Sequence, residues 1–136
     1  EQNLGVTLTV ENIEYNYYNE QIYSGNHGQI FGGGWCADYP DPENFADILF
    51  HSGSNQNNSG YSNPVLDALL EQARIEQDVT KRIGMYQQAE QMIVDDAPVL
   101  FTTHSLSYEL VKPYLKGYVF TPISIPLERY MWLDGK

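Results

Sequence analysis

The chain has 136 residues, enough for one domain with a real core. Its 18 acidic residues against 7 basic ones give a formal charge of −11, which argues against the basic patches that nucleic acid and anionic lipid require. With Cys36 as its single cysteine it can close no internal disulfide and build no zinc site from several thiolates.

No window holds the roughly 18 consecutive apolar residues of a membrane span. The chain opens Glu1-Gln2-Asn3, without an initiator Met and without the basic start and apolar run of a signal peptide. It is therefore expected to be a processed or excised fragment.

From residue 5 to 10, Val6, Leu8 and Val10 alternate with Thr7 and Thr9, the pattern of a half-buried strand. Asn12 is expected to cap a helix carrying Tyr15, Tyr18 and Ile22 on one face. After a loop over 24–28, Gln29-Ile30-Phe31 reads as a second strand running into Gly32-Gly33-Gly34. Strand, helix and strand in that order place the two strands parallel in one sheet. Asp41 suits an N-cap, Pro42 the first helical position and Glu43 the positive end of the helix dipole, with Phe45, Ile48 and Leu49 as the apolar face.

The stretch 51–62 is rich in Gly, Ser and Asn and reads as loop. Asn63-Pro64 repeats the cap-and-proline signal ahead of Leu66, Leu69, Leu70 and Ala73, an amphipathic stripe. Asp78 caps a longer helix with Val79, Ile83, Tyr86, Ala89 and Ile93 at helical spacing, stopped by Asp95-Asp96-Ala97-Pro98. Val99–Thr103 reads as a buried strand, Tyr108–Val111 as a second and Leu115–Val119 as a third. Pro122 and Pro126 interrupt any sheet beyond, and Arg129–Leu133 is a short final apolar stretch. The class is α/β (α+β).

Four carboxylates, Asp38, Asp41, Glu43 and Asp47, fall within ten residues. They suit an acid–base pair for glycoside hydrolysis, a calcium site, or a helix start. The calcium pattern D-x-[DN]-x-[DN]-G is absent, and Pro40 and Pro42 stiffen the segment. A helix start explains Asp41, Glu43 and Asp47 but leaves Asp38 without a task; beside Trp35, an acidic side chain suits a ligand ammonium.

Gly32-Gly33-Gly34 lacks the phosphate-loop pattern, and no helix follows at once. Glycines at a strand's end permit either a bulge or the close approach of another backbone, such as an extended peptide added as a strand. His27, His51 and His104 show no metal spacing, and neither H-E-x-x-H nor G-x-S-x-G occurs. Cys36 reads as a buried small residue or, with a distant His, a thiol nucleophile. Trp35 reads as a core residue or a ligand platform. The 11 tyrosines either pack or form an adaptable binding surface.

The run Gly34-Trp35-Cys36-Ala37-Asp38-Tyr39-Pro40-Asp41-Pro42, followed by Phe45, resembles the Gly-Trp, small residue, Asp-Tyr, acidic-Pro signature of the dipeptide and oligopeptide solute-binding proteins of ABC importers, extracellular family 5. Further anchors agree in order: Asn63-Pro64 with Asp67 and Leu70, Arg82 with Tyr86, Ala89-Glu90 and Ile93, Ala97-Pro98, and Leu110-Val111-Lys112-Pro113 with Lys116-Gly117-Tyr118. The resemblance covers roughly a hundred residues from Gly34 onward, and the family's members are several times longer. It implies one lobe of a two-lobed, type II periplasmic-binding-protein fold, with a mixed sheet and flanking helices. Residues 1–112 would belong to a ligand-binding lobe from the C-terminal part, and 113–136 to a tail returning toward the other lobe.

The resemblance implies a non-enzymatic, extracytoplasmic binding protein without cofactor or metal. Its partners would be a peptide ligand, an ABC permease and the missing N-terminal part of the same protein, and a fragment lacking that part is prone to self-association. Asp38 would hold the ligand's α-ammonium, the main chain of Gly34, Trp35 and Cys36 would pair with the peptide, and Trp35 and Tyr39 would shape the pocket. Because relatives of one architecture also take sugars, an oligosaccharide ligand is the alternative, with a carboxylate hydrolase and an inactive structural fragment behind it.

Overall fold

The computed structural model describes residues 3–103, 106, 108–121 and 127–135; His104, Pro122 and Pro126 lie outside them. Four helices form: α1 (Tyr15–Ser24), α2 (Glu43–Phe50), α3 (Pro64–Ile75) and α4 (Val79–Asp96). Two short strands follow, β1 (Leu115–Lys116) and β2 (Trp132–Leu133), with a 3-10 turn at Glu128–Tyr130. The strands pair antiparallel, Leu115 opposite Leu133 and Lys116 opposite Trp132. Contacts divide the chain at Gly33/Gly34 into two units.

The first unit holds α1. Glu14, not Asn12, caps it, its carboxylate accepting from the amides of Asn16 and Tyr17. Gly25, in the left-handed region at φ 71°, ends it. Ile22 is buried as expected, whereas Tyr15 faces out. The Tyr18 hydroxyl donates to the Gly32 carbonyl, and the His27 and Phe31 rings lie 4.4 Å apart. Residues 5–10 and 29–31 are not strands, so the expected parallel pair is absent among the described residues. Val6, Leu8, Val10 and Ile30 are exposed. Alternation marks a face that would bury well, but a strand also needs a neighbour for its N–H and C=O groups.

In the second unit α2, α3 and α4 pack together around Phe50, Leu66, Leu70, Tyr86, Ala89 and Ile93. Asn63 caps α3 with Pro64 inside its first turn, and Asp78 caps α4 by accepting from the Lys81 amide. Leu66 and Leu70 are 0% exposed, and each contributes about 1.5–3 kcal/mol by leaving water. Ala97, at φ 48°, ends α4. Val79 and Ile83, expected on the core face, are exposed, and the buried stripe of α4 starts at Tyr86.

Helix α2 departs most from expectation. Phe45 is exposed, while Asn44, Ala46, Asp47 and Phe50 are buried. The inner face carries two polar residues because both find partners. Asp47, 3% exposed, takes two charge-assisted hydrogen bonds from Arg74 of α3, at 2.6 Å from Nε and 2.5 Å from Nη2. The α2 start is also one residue late: Pro42 is the cap position, and Asp41 accepts from the Glu43 amide at 2.9 Å.

The loop over 51–62 is tied at its end. The Tyr61 hydroxyl and the Asn63 amide both donate to Asp96 at the end of α4, at 2.5 and 2.9 Å. Val99–Thr103 and Tyr108–Val111 are not strands, and Leu100, Phe101, Tyr108 and Leu110 are exposed. Of the expected strand Leu115–Val119 only two residues pair, since Gly117 turns the chain at φ 72°. A Cβ there would run into the Tyr130 carbonyl and the Trp132 ring, so only glycine lets the two strands approach.

Candidate functional site

Residues 34–41 lead into α2, and one buried side chain organises them. Asn44, in the first turn of α2, is 1% exposed. Its Oδ1 accepts from the Trp35 indole Nε1–H at 3.0 Å and from the Asp38 main-chain N–H at 2.9 Å. The chain turns sharply just after: Asp41 N–H donates to Tyr39 O at 2.9 Å, and Asn44 N–H to Asp41 O at 3.1 Å. From α4, Arg82 reaches back with two bonds of 2.8 Å to the two carboxylate oxygens of Asp41 and lies 4.9 Å over the Tyr86 ring.

The four clustered carboxylates therefore part company. Asp41 is held by Arg82, whose guanidinium keeps the Asp41 carboxyl below its usual range, while the pair raises the Arg82 pKa. Asp47 is held by Arg74. Glu43 accepts a hydrogen bond from the Tyr39 hydroxyl, which raises the Tyr39 pKa. Asp38 is exposed, and its carboxylate has no hydrogen-bond or ion-pair partner among the described residues. Burial pushes the Tyr86 phenol up to about 12, and its hydroxyl has no partner among the described residues.

The predicted site residues are thus brought together by one short segment. Trp35 is half-buried with its N–H committed to Asn44, so its ring and not its donor is left available. Gly34, Cys36 and Tyr39 are exposed. Cys36 is a free thiol on the surface, not the buried small residue its setting suggested. The main-chain groups of residues 34–37 make no hydrogen bonds with other described residues, which leaves a short stretch of main chain open. An unpaired carboxylate beside open main-chain groups can take an ammonium and a peptide backbone together. Among the nearby carboxylates, Asp41 is paired with Arg82 and Glu43 accepts from the Tyr39 hydroxyl.

Sequence reasoning missed Asn44, Arg82 as the partner of Asp41, and Arg74 as that of Asp47. The only local signal was the spacing of Asn44, Asp47 and Phe50, three apart, which puts them on one helical face. A hollow of about 440 Å³ lies elsewhere, lined by residues 109–112, Tyr114, Leu115, Tyr118 and Leu133 and by none of the segment 34–39.

The three-helix unit and this segment match a fragment of the type II fold of solute-binding proteins. No family profile matches the chain. The chain is 32% identical over 123 residues, 88% of its length, to the dipeptide-binding protein of Escherichia coli (strain K12). It is 36% identical over 98 residues, 72% of its length, to the oligopeptide-binding protein OppA of Bacillus subtilis (strain 168). The solved structure of OppA from Burkholderia pseudomallei superposes with a TM-score of 0.75 at 32% identity, over 98% of this chain and 26% of that one. These relatives are peptide-binding solute-binding proteins of family 5, and the chain spans 23% and 18% of the length of the two.

Proposed function

We propose that this chain is the amine-anchoring part of an extracytoplasmic oligopeptide receptor that hands its ligand to an ABC importer and does no chemistry on it. The observation that carries this reading is the Asp38 carboxylate, exposed and unpartnered among the described residues while its neighbours Asp41, Glu43 and Asp47 are all engaged. It holds the ligand's α-ammonium. The open main chain of Gly34, Trp35 and Cys36 pairs with the peptide backbone, and the Trp35 ring and Tyr39 line the pocket. Reading terminus and backbone in this way tolerates many side chains. The names of the relatives, dipeptide-binding and oligopeptide-binding, support the ligand class.

The rest of the cleft comes from polypeptide outside these 136 residues, with 113–136 returning toward the second lobe. The exposed segments 5–10, 100–103 and 108–111 then gain strand neighbours from that polypeptide. Without it they self-associate, as unpaired extended edges do.

The test is isothermal titration of the complete receptor with trialanine and N-acetyl-trialanine. Asp38→Asn is expected to weaken the free-amine peptide by about tenfold or more, as expected for losing a charge-assisted bond, and to leave the acetylated one nearly unchanged. Equal losses for both peptides would remove Asp38 from the anchor role. The 136-residue chain alone is expected to bind trialanine weakly or not at all; micromolar binding by it would show that half a cleft suffices.

A further inference from the structure

Asn44 is polar, yet among the most deeply buried side chains of the second unit. Its single oxygen serves two donors that belong to neighbouring candidate site residues, Trp35 and Asp38. We propose that Asn44 is a positioning residue: it sets the rotation of the Trp35 ring and the main-chain course through Asp38, and so aims the free carboxylate without touching the ligand. This rests on the anchor reading of Asp38 for its functional meaning, but not for its geometry.

The physical argument starts from α2. A carbonyl oxygen has two lone pairs, and both are used here, at 3.0 and 2.9 Å. Burial raises the penalty for leaving either donor unpaired, so the arrangement has little freedom. The helix carrying Asn44 is itself fixed at two points, by Asp47 to Arg74 and by Asp41 to Arg82. Segment 34–38 therefore inherits the position of a three-helix core rather than floating as an exposed loop. The lock also decides what a ligand cannot use. The indole N–H of Trp35 and the amide of Asp38 are spent, so a ligand carbonyl gains no bond from either, and recognition at this point is left to the carboxylate.

The experiment compares hydrogen exchange at the Trp35 indole N–H and the Asp38 amide in the complete receptor and in two variants, Asn44→Ala and Asn44→Asp. The Trp35 signal is told from Trp132 by a Trp132→Phe background. Ala removes the acceptor; Asp keeps it. Both protons are expected to exchange about tenfold or more faster in Asn44→Ala, the loss of roughly one hydrogen bond at each. Amides of Leu70 and Ala89 in α3 and α4 stay protected, and Asn44→Asp restores protection at both sites. Faster exchange at the α3 and α4 amides as well, or unchanged exchange at Trp35 and Asp38, would overturn the proposal.

A second arm measures the affinity ratio of trialanine to N-acetyl-trialanine. Asn44→Ala is expected to shrink that ratio about tenfold, as a mis-aimed carboxylate loses its amine. A ratio unchanged while exchange rises at both protons would show that Asn44 holds the segment without aiming the carboxylate, and the aiming role would fall. A wild-type receptor indifferent to acetylation would defeat the anchor reading, leaving the exchange data to judge Asn44 by themselves.

Discussion

Arg82 and Asp41, 41 positions apart, are joined by two parallel hydrogen bonds of 2.8 Å that bind the middle of the chain to the turn before α2. Both side chains are largely sheltered, 23% and 30% exposed. Such a bidentate pair outweighs a surface ion pair, because its geometry is rigid and water competes less. Arg82→Ala is expected to lower stability by about 1–2 kcal/mol. Urea unfolding followed by circular dichroism checks this, and a variant as stable as the wild type would mean that the pair contributes nothing net. Arg82→Lys is expected to recover only part of the loss, since an ammonium cannot match both oxygens.

The same pair sets an acid limb. Arg82 holds the Asp41 carboxyl below its ordinary 3.8. A carboxyl with a depressed native pKa favours the folded state fully above its unfolded value, and that gain fades as pH falls through the native value. The Tyr61 hydroxyl, followed by the Asn63 amide, depresses Asp96 in the same direction. Stability should therefore decline between about pH 5 and pH 2, and Asp41→Asn should decline less steeply over that window. Parallel curves for the two proteins would detach Asp41 from the acid transition.

Two aspartates nine positions apart should behave as opposites. Asp38→Asn removes a carboxylate without a partner among the described residues and is expected to change unfolding free energy by less than about 0.5 kcal/mol. Asp47→Asn withdraws a buried charge from Arg74 and is expected to cost about 2 kcal/mol or more. Thermal unfolding of both variants decides it: a large loss for Asp38→Asn would mean that the residue works for the fold.

Core position should matter more than apolar character. Leu70 is 0% exposed and Val65, on the same helix, is 69% exposed. Leu70→Ala is expected to lose about 2.5–5 kcal/mol, and Val65→Ala less than about 1. Denaturant midpoints of the two variants give the comparison; similar losses would mean that α3 does not pack as described.

Features with a local cause were legible in the sequence. Asn63-Pro64 and Asp78 announced α3 and α4, because a cap needs only its own next three residues. The stripe Leu66, Leu69, Leu70 and Ala73 was likewise readable, since a helix completes its own hydrogen bonds. Features that need distant partners were not. Residues 5–10, 29–31, 99–103 and 108–111 have the composition of strands, yet nothing in a strand's own sequence supplies the neighbour that makes it one.

Helix α2 shows the same division inside one element. Its start at Asp41-Pro42 was readable to within a residue, but of the expected face Phe45, Ile48 and Leu49, Leu49 packs against the core while Phe45 is exposed. Asn44 and Asp47 lie inward because Trp35, Asp38 and Arg74 meet them there, 9, 6 and 27 positions away. At the candidate site, elimination left Asp38 without a structural task, whereas the lock at Asn44 depends on partners that no local pattern announces.

The isolation of Asp38 has a consequence in time as well as in strength. A neutralised carboxylate exerts no pull beyond contact, whereas an uncompensated one on a chain of charge −11 projects its field into solvent. At physiological salt that field reaches about 8 Å, and further in dilute buffer. A cation drifting past such a carboxylate is drawn toward it before contact, and an anion is turned away. On the anchor reading, the residue proposed to govern how long an amine remains is also proposed to govern how quickly it arrives, with added salt slowing the arrival.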